Sequence, residues 1–195
     1  MSFDPDTELM LKVRRGNRAA FEALVVKYQR PVINTIYRSI GDAAEAEDLA
    51  QNVFVQVWKS RGRYLPTAKF STWLFTIVRN MCLNEVRRRA RHPADSLDKP
   101  VTDAAEGSES VWQVPDQQAK PASEEALAAE LRKRVDVALA ALPEAQRTAM
   151  LLLRHQNMPY EDIAKVMRCS LSATKSIIHR ARAILRDQLK PYLRP

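Results

Sequence analysis

The chain has 195 residues, of which 46% are hydrophobic, 28% are charged and only 4 are glycine, and its formal net charge is +8 at pH 7. No apolar run approaches the roughly eighteen residues of a membrane-spanning helix, and the N-terminal MSFDPDTELM has acidic residues and lacks the apolar core of a secretory signal. We therefore expect a soluble, cytoplasmic protein that makes no membrane contact of its own.

The charge is distributed unevenly and divides the sequence into three parts. Residues 1–91 carry 16 basic and 9 acidic side chains, residues 92–122 carry 2 and 6, and residues 123–195 carry 13 and 8. The acidic middle part contains four prolines among Ser, Asp and Gln and shows little periodicity, which is typical of a linker. The pattern predicts two small basic domains, 1–91 and 123–195, joined by the flexible linker 92–122.

Four stretches of residues 1–91 have apolar residues at helical spacing. The first is a short helix that Asp4 or Asp6 can cap and that Gly16 ends. Pro31 lies inside the second and should kink or split it, because proline lacks an N–H and collides with the preceding turn. The remaining helices are predicted to span residues 18–40, 43–60 and 71–91.

Cations and aromatic rings alternate in the loop before the fourth helix and at its start. Single-stranded nucleic acid favours this combination, because cations neutralise phosphates and rings stack on unpaired bases. The fourth helix ends in RRRAR, which either extends such a surface or simply complements the helix dipole. The alternative for the rings is that they belong to the core. The candidate nucleic-acid contacts here are Arg61, Arg63, Tyr64, Lys69, Phe70, Trp73, Arg87 and Arg88.

Residues 157–186 predict two short helices separated by a turn at residues 168–170, which is the pattern of a helix-turn-helix. The second helix opens with short side chains, so its first turn fits a major groove about 12 Å wide. The candidate DNA contacts on it are Ser172, Ala173, Thr174, Lys175, Ser176, His179, Arg180 and Arg182. The fold class predicted for the whole chain is all-α, with the helix-turn-helix in the C-terminal domain.

The sequence lacks the patterns of catalytic and cofactor sites. It has no phosphate-cradling Gly-rich loop and no nucleophile with a base at motif spacing, and its three histidines are scattered. Cys82 and Cys169 have no Cys or His neighbour at metal-ligand spacing, which favours small buried thiols. We predict no enzymatic activity, no metal and no cofactor.

Four segments carry a family resemblance when they are taken in series. They are GNRAAFEALVVKYQ, AEAEDLAQNVFVQVWKS, FSTWLFTIVRNMCLNEVRRRAR and LPEAQRTAMLLLRHQNMPYEDIAKVMRCSLSATKSIIHRARAIL. Together they resemble the bacterial RNA polymerase sigma factors of the extracytoplasmic-function group, in the sigma-70 superfamily. The resemblance implies an alternative sigma factor that binds core RNA polymerase, directs it to particular promoters and opens the DNA at the minus-ten element.

The resemblance also implies roles for individual residues. The surface that docks on the clamp helices of the polymerase largest subunit corresponds to Asp48, Gln51, Asn52 and Phe54. The part that opens the minus-ten element corresponds to the loop from Arg61 and the fourth helix, and it adds Thr72, Arg79, Asn80 and Asn84 to the contacts above. The C-terminal domain corresponds to the one that recognises the minus-thirty-five element and rests on the polymerase flap. An anti-sigma factor is implied as a further partner.

Two departures from the family pattern have expected consequences. Asn52 stands where an acidic residue is usual, which should weaken polymerase docking by up to about 1 kcal/mol. The recognition helix has SATKSI at residues 172–177 where Gly-Thr-Val-Arg-Ser-Arg is common, and Lys175 lacks the bidentate fork of arginine. We therefore expect a minus-thirty-five sequence different from the commonest one of the group.

Two other hypotheses remain open at the level of sequence. A self-sufficient helix-turn-helix repressor or activator would bind a two-fold symmetric operator without polymerase. An interaction protein held by an inhibitor would keep both basic surfaces covered, which is compatible with a sigma factor bound by an anti-sigma factor.

Overall fold

The computed structural model describes residues 4–91 and 122–192. Within these ranges the chain forms helices and connecting turns and no β-strand, which confirms the predicted all-α fold. The predicted linker, residues 92–122, lies outside the described residues except for Ala122, where a helix begins. No helix in the described ranges is long and apolar enough to cross a membrane.

The described residues contain eight α-helices and two short 3-10 helices, joined by turns and loops. The α-helices are α1 (Pro5–Arg14), α2 (Arg18–Ile40), α3 (Ala43–Ser60), α4 (Phe70–Arg91), α5 (Ala122–Ala140), α6 (Glu144–His155), α7 (Tyr160–Met167) and α8 (Leu171–Leu189). The 3-10 helices are Arg61–Arg63 and Lys190–Tyr192. Short polar side chains begin four of the helices by accepting a backbone N–H of the first turn. These caps are Asp4, Asn17, Asp42 and Ser170.

Of the two outcomes predicted for Pro31, a kink or a split of the second helix, the split does not occur, because α2 continues through this residue. A proline inside a helix costs about 3 kcal/mol through its missing hydrogen bond and its clash with the preceding turn. Packing compensates for this cost. Leu24, Val32 and Ile36 are almost completely buried along the same stripe, and α2 packs against both α1 and α3. Each such side chain contributes about 1.5–3 kcal/mol when it is fully buried.

The N-terminal helices enclose a cluster of aromatic rings. Tyr64 and Phe70 are completely buried, and the ring of Trp73 lies 5.1 Å from that of Tyr64 in an edge-on arrangement. Tyr28 of α2 packs edge-on against Phe70 at 5.3 Å. The Tyr28–Phe70 pair joins α2 to the start of α4, and the Tyr64–Trp73 pair joins the preceding loop to the same helix.

The C-terminal helices form the predicted helix-turn-helix. Helix α7 ends at Arg168, which has a left-handed backbone conformation with φ 55°, and α8 begins after the cap Ser170. Ala164 and Ala181 are buried where the helices meet. Thr174 is also completely buried, and its hydroxyl donates to the Ser170 carbonyl at 3.1 Å and lies 3.2 Å from Cys169 Sγ.

The two helical halves contact each other directly. Helix α2 packs against α6, and α4 packs against α7. The Arg147 guanidinium donates to the Ser39 carbonyl at 2.9 Å, and the Gln156 amide donates to Thr35 Oγ1 at 3.2 Å. An ion pair of 3.2 Å joins Arg38 to Asp136 of α5.

Candidate protein and nucleic-acid interfaces

An open apolar groove lies between α2 and α3 on the N-terminal half. Its volume is about 880 Å³. Apolar side chains form just over half of its lining and include Phe21, Val25, Ile33, Phe54, Val55 and Trp58. The other lining residues are polar or charged, among them Glu47, Gln51 and Lys59. We call it the α2–α3 groove. Its shape and lining suit an amphipathic helix of a protein partner.

The residues predicted to bind polymerase lie on and beside this groove. Gln51 and Phe54 line it, whereas Asp48 and Asn52 are exposed on α3 outside its lining. Phe54 is 9% exposed, so only a small part of its side chain is accessible to a partner. The family resemblance pointed to Asp48, Gln51, Asn52 and Phe54 for this surface but not to Trp58. Trp58 is half-buried, with its ring 5.1 Å from that of Phe21.

Arg61, predicted to contact DNA, is held at the end of the α2–α3 groove. Its guanidinium lies over the Trp58 ring, 4.2 Å from the ring centroid, and donates to the Trp58 carbonyl at 2.7 Å. A stacked arginine of this kind keeps its charge and several N–H donors for a further partner. Arg61 therefore sits between the groove and the loop that follows it.

Four side chains predicted to contact DNA are inside the protein, which corrects those predictions. Tyr64 and Phe70 are completely buried in the aromatic cluster, Thr72 is buried in the first turn of α4, and Thr174 is buried in the helix-turn-helix. The rings fit the alternative that they belong to the core. Their burial has a physical cause, since α1, α2 and α4 would otherwise leave an apolar cavity at the start of α4.

Other predicted minus-ten residues are accessible. Arg63 and Lys69 are exposed in the loop, Asn84, Arg87 and Arg88 are exposed on α4, and Trp73 and Asn80 are half-buried. Arg79 differs from these residues. Its Nε is buried and has no hydrogen-bond partner among the described residues, and its side chain lines a small cavity with Thr148 and Leu152 of α6. In this arrangement the C-terminal half partly covers Arg79.

Glu85 organises the basic end of α4, and the sequence analysis did not single it out. Its carboxylate is 5% exposed and accepts hydrogen bonds from Arg88 Nε at 2.8 Å and from Arg89 Nε at 2.7 Å. These bonds hold the pKa of Glu85 below its usual value, against the opposing effect of burial. The i, i+3 and i, i+4 spacing of Glu85 to the two arginines is a signal that the sequence does contain.

The predicted recognition surface of α8 is exposed. Lys175, Ser176, His179, Arg180 and Arg182 all face solvent, as does Ser172, and Ala173 is half-buried. The buried Ile178 and Ala181 fix the opposite side of the helix against the core. Helix α8 thus presents a row of cations and hydroxyls that is suited to phosphates and base edges.

Comparison with known proteins gives two family-model matches. The model described as Sigma-70 region 2 matches residues 24–92, and the model described as Sigma-70, region 4 matches residues 132–185. The first match contains α3, α4 and most of α2, and the second contains the helix-turn-helix.

Similar proteins cover nearly the whole chain. The RNA polymerase sigma-H factor of Pseudomonas aeruginosa is 35% identical over 193 residues, which are 98% of this chain and 97% of the relative. The ECF RNA polymerase sigma-E factor of Escherichia coli is 28% identical over 190 residues, which are 97% of this chain and 96% of the relative.

Two solved structures have a similar fold. The sigma factor RpoE in complex with the anti-sigma factor NepR, from Bartonella quintana, has a TM-score of 0.65 at 26% identity and covers 87% of this chain and 96% of its own. CnrH in complex with the cytosolic domain of CnrY has a TM-score of 0.69 at 24% identity, and covers 96% of this chain and 99% of its own.

Proposed function

This chain belongs to the extracytoplasmic-function group of RNA polymerase sigma factors, and we propose that it selects promoters through three separate surfaces. It is an alternative transcription initiation factor and not an enzyme. Its partners are core RNA polymerase, promoter DNA and an anti-sigma factor. We further propose that it acts in the cytoplasm, where core polymerase and promoters are.

The first surface is the α2–α3 groove with the polar residues beside it, and it binds core polymerase. The observation that supports this most is the apolar groove of about 880 Å³ on a helix pair that also exposes Asp48 and Asn52. Apolar surface gives affinity and the charged rim gives orientation. We assign this surface to the clamp helices of the largest subunit.

The second and third surfaces bind the promoter. The loop at residues 61–69 and the exposed side of α4 contact the minus-ten element, and the first half of α8 contacts the minus-thirty-five element. Each half of the protein, 1–91 and 123–195, then binds one DNA element. The two halves contact each other directly in this structure, and we propose that on core polymerase the enzyme sets their separation instead. Two weak DNA contacts then reinforce each other through effective concentration.

Run-off transcription with core polymerase and a promoter library tests these assignments. Asp48→Ala should weaken core binding by up to about fivefold, because a single exposed ion pair is worth up to about 1 kcal/mol. Lys175→Ala should leave core binding unchanged and reduce transcription tenfold or so, because a contact to a base edge is worth about 1–3 kcal/mol. Glu8→Ala and Lys12→Ala are matched controls, since both residues are exposed on α1, outside the three surfaces.

Two results would contradict the proposal. If Asp48→Ala and Lys175→Ala behave like their controls, the assignment of the surfaces is wrong. If core polymerase plus protein gives no transcript while the protein alone shifts a palindromic site, the competing hypothesis of an autonomous repressor or activator describes its action better.

A further inference from the structure

Thr7 of α1 has a hydroxyl that joins three parts of the N-terminal half. The residue is buried, and Oγ1 donates to the Asp4 carboxylate. The same oxygen accepts the backbone N–H of Phe70 at 3.2 Å and lies 3.4 Å from the Tyr64 hydroxyl, which donates to it. A threonine hydroxyl has one hydrogen to donate and two lone pairs. All three are used here.

The hydrogen bond from the Phe70 N–H to the Thr7 hydroxyl caps the start of α4 with a side chain from another helix. Phe70 is the first residue of α4, and the first N–H groups of a helix have no partner within it. Other helices of this protein begin with a local cap, such as Asn17 for α2 or Ser170 for α8. The start of α4 instead depends on a side chain 63 residues earlier in the chain.

Hydrogen bonds and apolar packing hold α1 against α2, and they fix the position of Thr7 in the N-terminal half. Asp6 accepts hydrogen bonds from Lys27 Nζ at 2.6 Å and 2.7 Å and from the Tyr28 hydroxyl at 2.6 Å. Burial and the neighbouring Asp6 carboxylate raise the pKa of Tyr28, so this hydroxyl stays a donor. Met10 and Val13 add apolar anchors that are completely buried.

Both ends of the loop between Tyr64 and Phe70 are therefore tied to one oxygen atom. The Tyr64 side chain is bound at one end and the Phe70 N–H at the other, and Arg14 of α1 adds a bond of 3.4 Å to the Tyr64 carbonyl. Between them Leu65 and Lys69 stay exposed. Tyr64 also supports Trp73, whose ring it meets at 5.1 Å. Thr7 thus contacts both ends of the loop and, through Tyr64, is connected to the Trp73 ring, which is predicted to meet DNA.

We propose that α1 is a positioning element for promoter opening, and that the Thr7 hydroxyl holds the loop at residues 64–70 and the start of α4 in the conformation that separates the strands. This inference depends on the proposed role of that loop at the minus-ten element. It gives a task to a segment that precedes the residues matched by the region 2 model, which begin at residue 24. Thr7 itself touches no DNA, because it is buried.

Thr7→Val tests the inference, because valine keeps the shape of threonine and removes the hydroxyl. It leaves the Phe70 N–H and the Tyr64 hydroxyl buried without their acceptor. Thr7→Ser keeps the hydroxyl and serves as the rescue variant. Val13→Ala is the control for stability, since it weakens the packing of α1 without removing a bond to the loop. Tyr64→Phe removes only one of the three bonds, and it replaces Thr7→Val if that variant fails to fold.

The assay compares two templates with the full chain on core polymerase. One is a duplex promoter that the unaltered protein uses, and the other is the same promoter with mismatched strands across the minus-ten element. Permanganate reactivity of thymines on the duplex measures the rate of strand opening. For Thr7→Val we expect this rate to fall about fivefold, because the Phe70 N–H and the Tyr64 hydroxyl lose their acceptor, and initiation on the pre-opened template to change less than about twofold. Tyr64→Phe should give a smaller change in the same direction.

Amide hydrogen exchange at Phe70 directly measures whether the hydrogen bond from its N–H to residue 7 is present. Exchange there should accelerate in Thr7→Val, stay slow in Thr7→Ser and stay slow in Val13→Ala. The inference is overturned if Thr7→Val opens the duplex at the unaltered rate, loses activity equally on both templates, or is matched by Val13→Ala. If the unaltered protein with core polymerase initiates at no promoter of the library, so that no such template exists, the proposed function has failed and not the role of Thr7.

Discussion

A buried carboxylate, Glu85, shows how one residue can arrange a cationic surface. It binds Arg88 with two hydrogen bonds, at 2.8 Å and 2.9 Å, and Arg89 with a third. Arg89 in turn donates to the Ile40 carbonyl at 3.2 Å and lies 3.6 Å from Asp42. The end of α4 is therefore attached to the turn between α2 and α3, and Arg88 has a defined position beside the proposed DNA surface.

Replacing this carboxylate should destabilise the protein. We expect Glu85→Gln to lower the free energy of unfolding by about 1–2 kcal/mol, because the arginines lose a charged acceptor in a buried position. Urea unfolding at pH 7 measures the change. Glu22→Gln is the matched control, since Glu22 is exposed on α2, and it should change the stability by less than about 0.5 kcal/mol.

The difference between Glu85→Gln and the unaltered protein should depend on pH. The folded state lowers the pKa of Glu85, so the unfolded chain takes up a proton first as the pH falls. The stabilisation by the Glu85 carboxylate is then complete above the pKa of Glu85 in the unfolded chain, which is about 4.3. It decreases as the pH drops through the lowered pKa of the folded state. A difference that stays constant from pH 6 to pH 3 would contradict this account.

The sequence identified which residue types form the surfaces, but it did not separate the buried rings from the exposed ones. Tyr64 and Phe70 lie in a stretch with the composition of a nucleic-acid surface, and the structure buries both. The deciding contacts come from Thr7 and Tyr28, far away in the chain. No local pattern contains that information. Glu85 is different, because its i, i+3 and i, i+4 spacing to Arg88 and Arg89 is visible in the sequence and predicts ion pairs on one side of a helix.

At the scale of helices, the turn of the helix-turn-helix contains an unfavourable backbone conformation. Arg168 ends α7 with φ 55° and ψ 45°, a left-handed geometry that costs energy for residues with a Cβ. Its N–H bonds the Lys165 carbonyl, and the following Cys169 N–H bonds the Ala164 carbonyl. The turn keeps this geometry because the bonds close the end of α7.

Glycine at this position should stabilise the domain. We expect Arg168→Gly to raise the free energy of unfolding by about 0.5–1 kcal/mol, because glycine adopts the left-handed conformation without steric cost. Arg168→Ala is the control, since it removes the same charge but keeps a Cβ. Thermal unfolding of both variants measures the effect. Equal melting temperatures for the two variants would show that the charge, and not the backbone, decides the stability.

The helices themselves followed closely from the sequence. Helix α3 spans Ala43–Ser60 as predicted, and α4 begins one residue earlier than expected, at Phe70. Apolar periodicity and capping residues are local signals, so they identify helices well. Pro31 shows the limit of such signals. Whether a helix breaks at proline depends on how much packing its neighbours provide, and α1 and α3 come from other parts of the chain.

At the scale of the whole molecule, two positively charged halves are held together. Charge alone would separate them, since residues 1–91 carry 16 basic against 9 acidic side chains and residues 123–195 carry 13 against 8. The contact instead uses local complementarity, with Arg38 on Asp136 and the Arg147 guanidinium on a backbone carbonyl. The sequence could not predict this arrangement, because net charge says little about pairs that form between distant segments.

Cys82 lies where it can report on this contact. Cys82 is 7% exposed, and the small cavity that it lines is also lined by Thr148 and Leu152 of α6. Burial raises its pKa to about 11, mainly by penalising the thiolate. At pH 8 only about one thiol in a thousand is then ionised. Separation of the halves should expose the thiol and lower this pKa.

We therefore expect Arg147→Ala to increase the rate of Cys82 alkylation by iodoacetamide about fivefold at pH 8, because a partly buried, charged hydrogen bond between the halves is lost. A Cys169→Ser background removes the second thiol and keeps a hydroxyl beside Thr174, which Cys169 Sγ contacts at 3.2 Å. Arg134→Ala is the matched control, because Arg134 bonds Tyr192 at 2.9 Å within the C-terminal half. If both arginine variants react at the same rate, opening of the α2–α6 contact does not limit access to Cys82. If only Arg147→Ala reacts faster, the α2–α6 contact protects the Cys82 thiol. The alkylation rate then measures how strongly the two halves are held together.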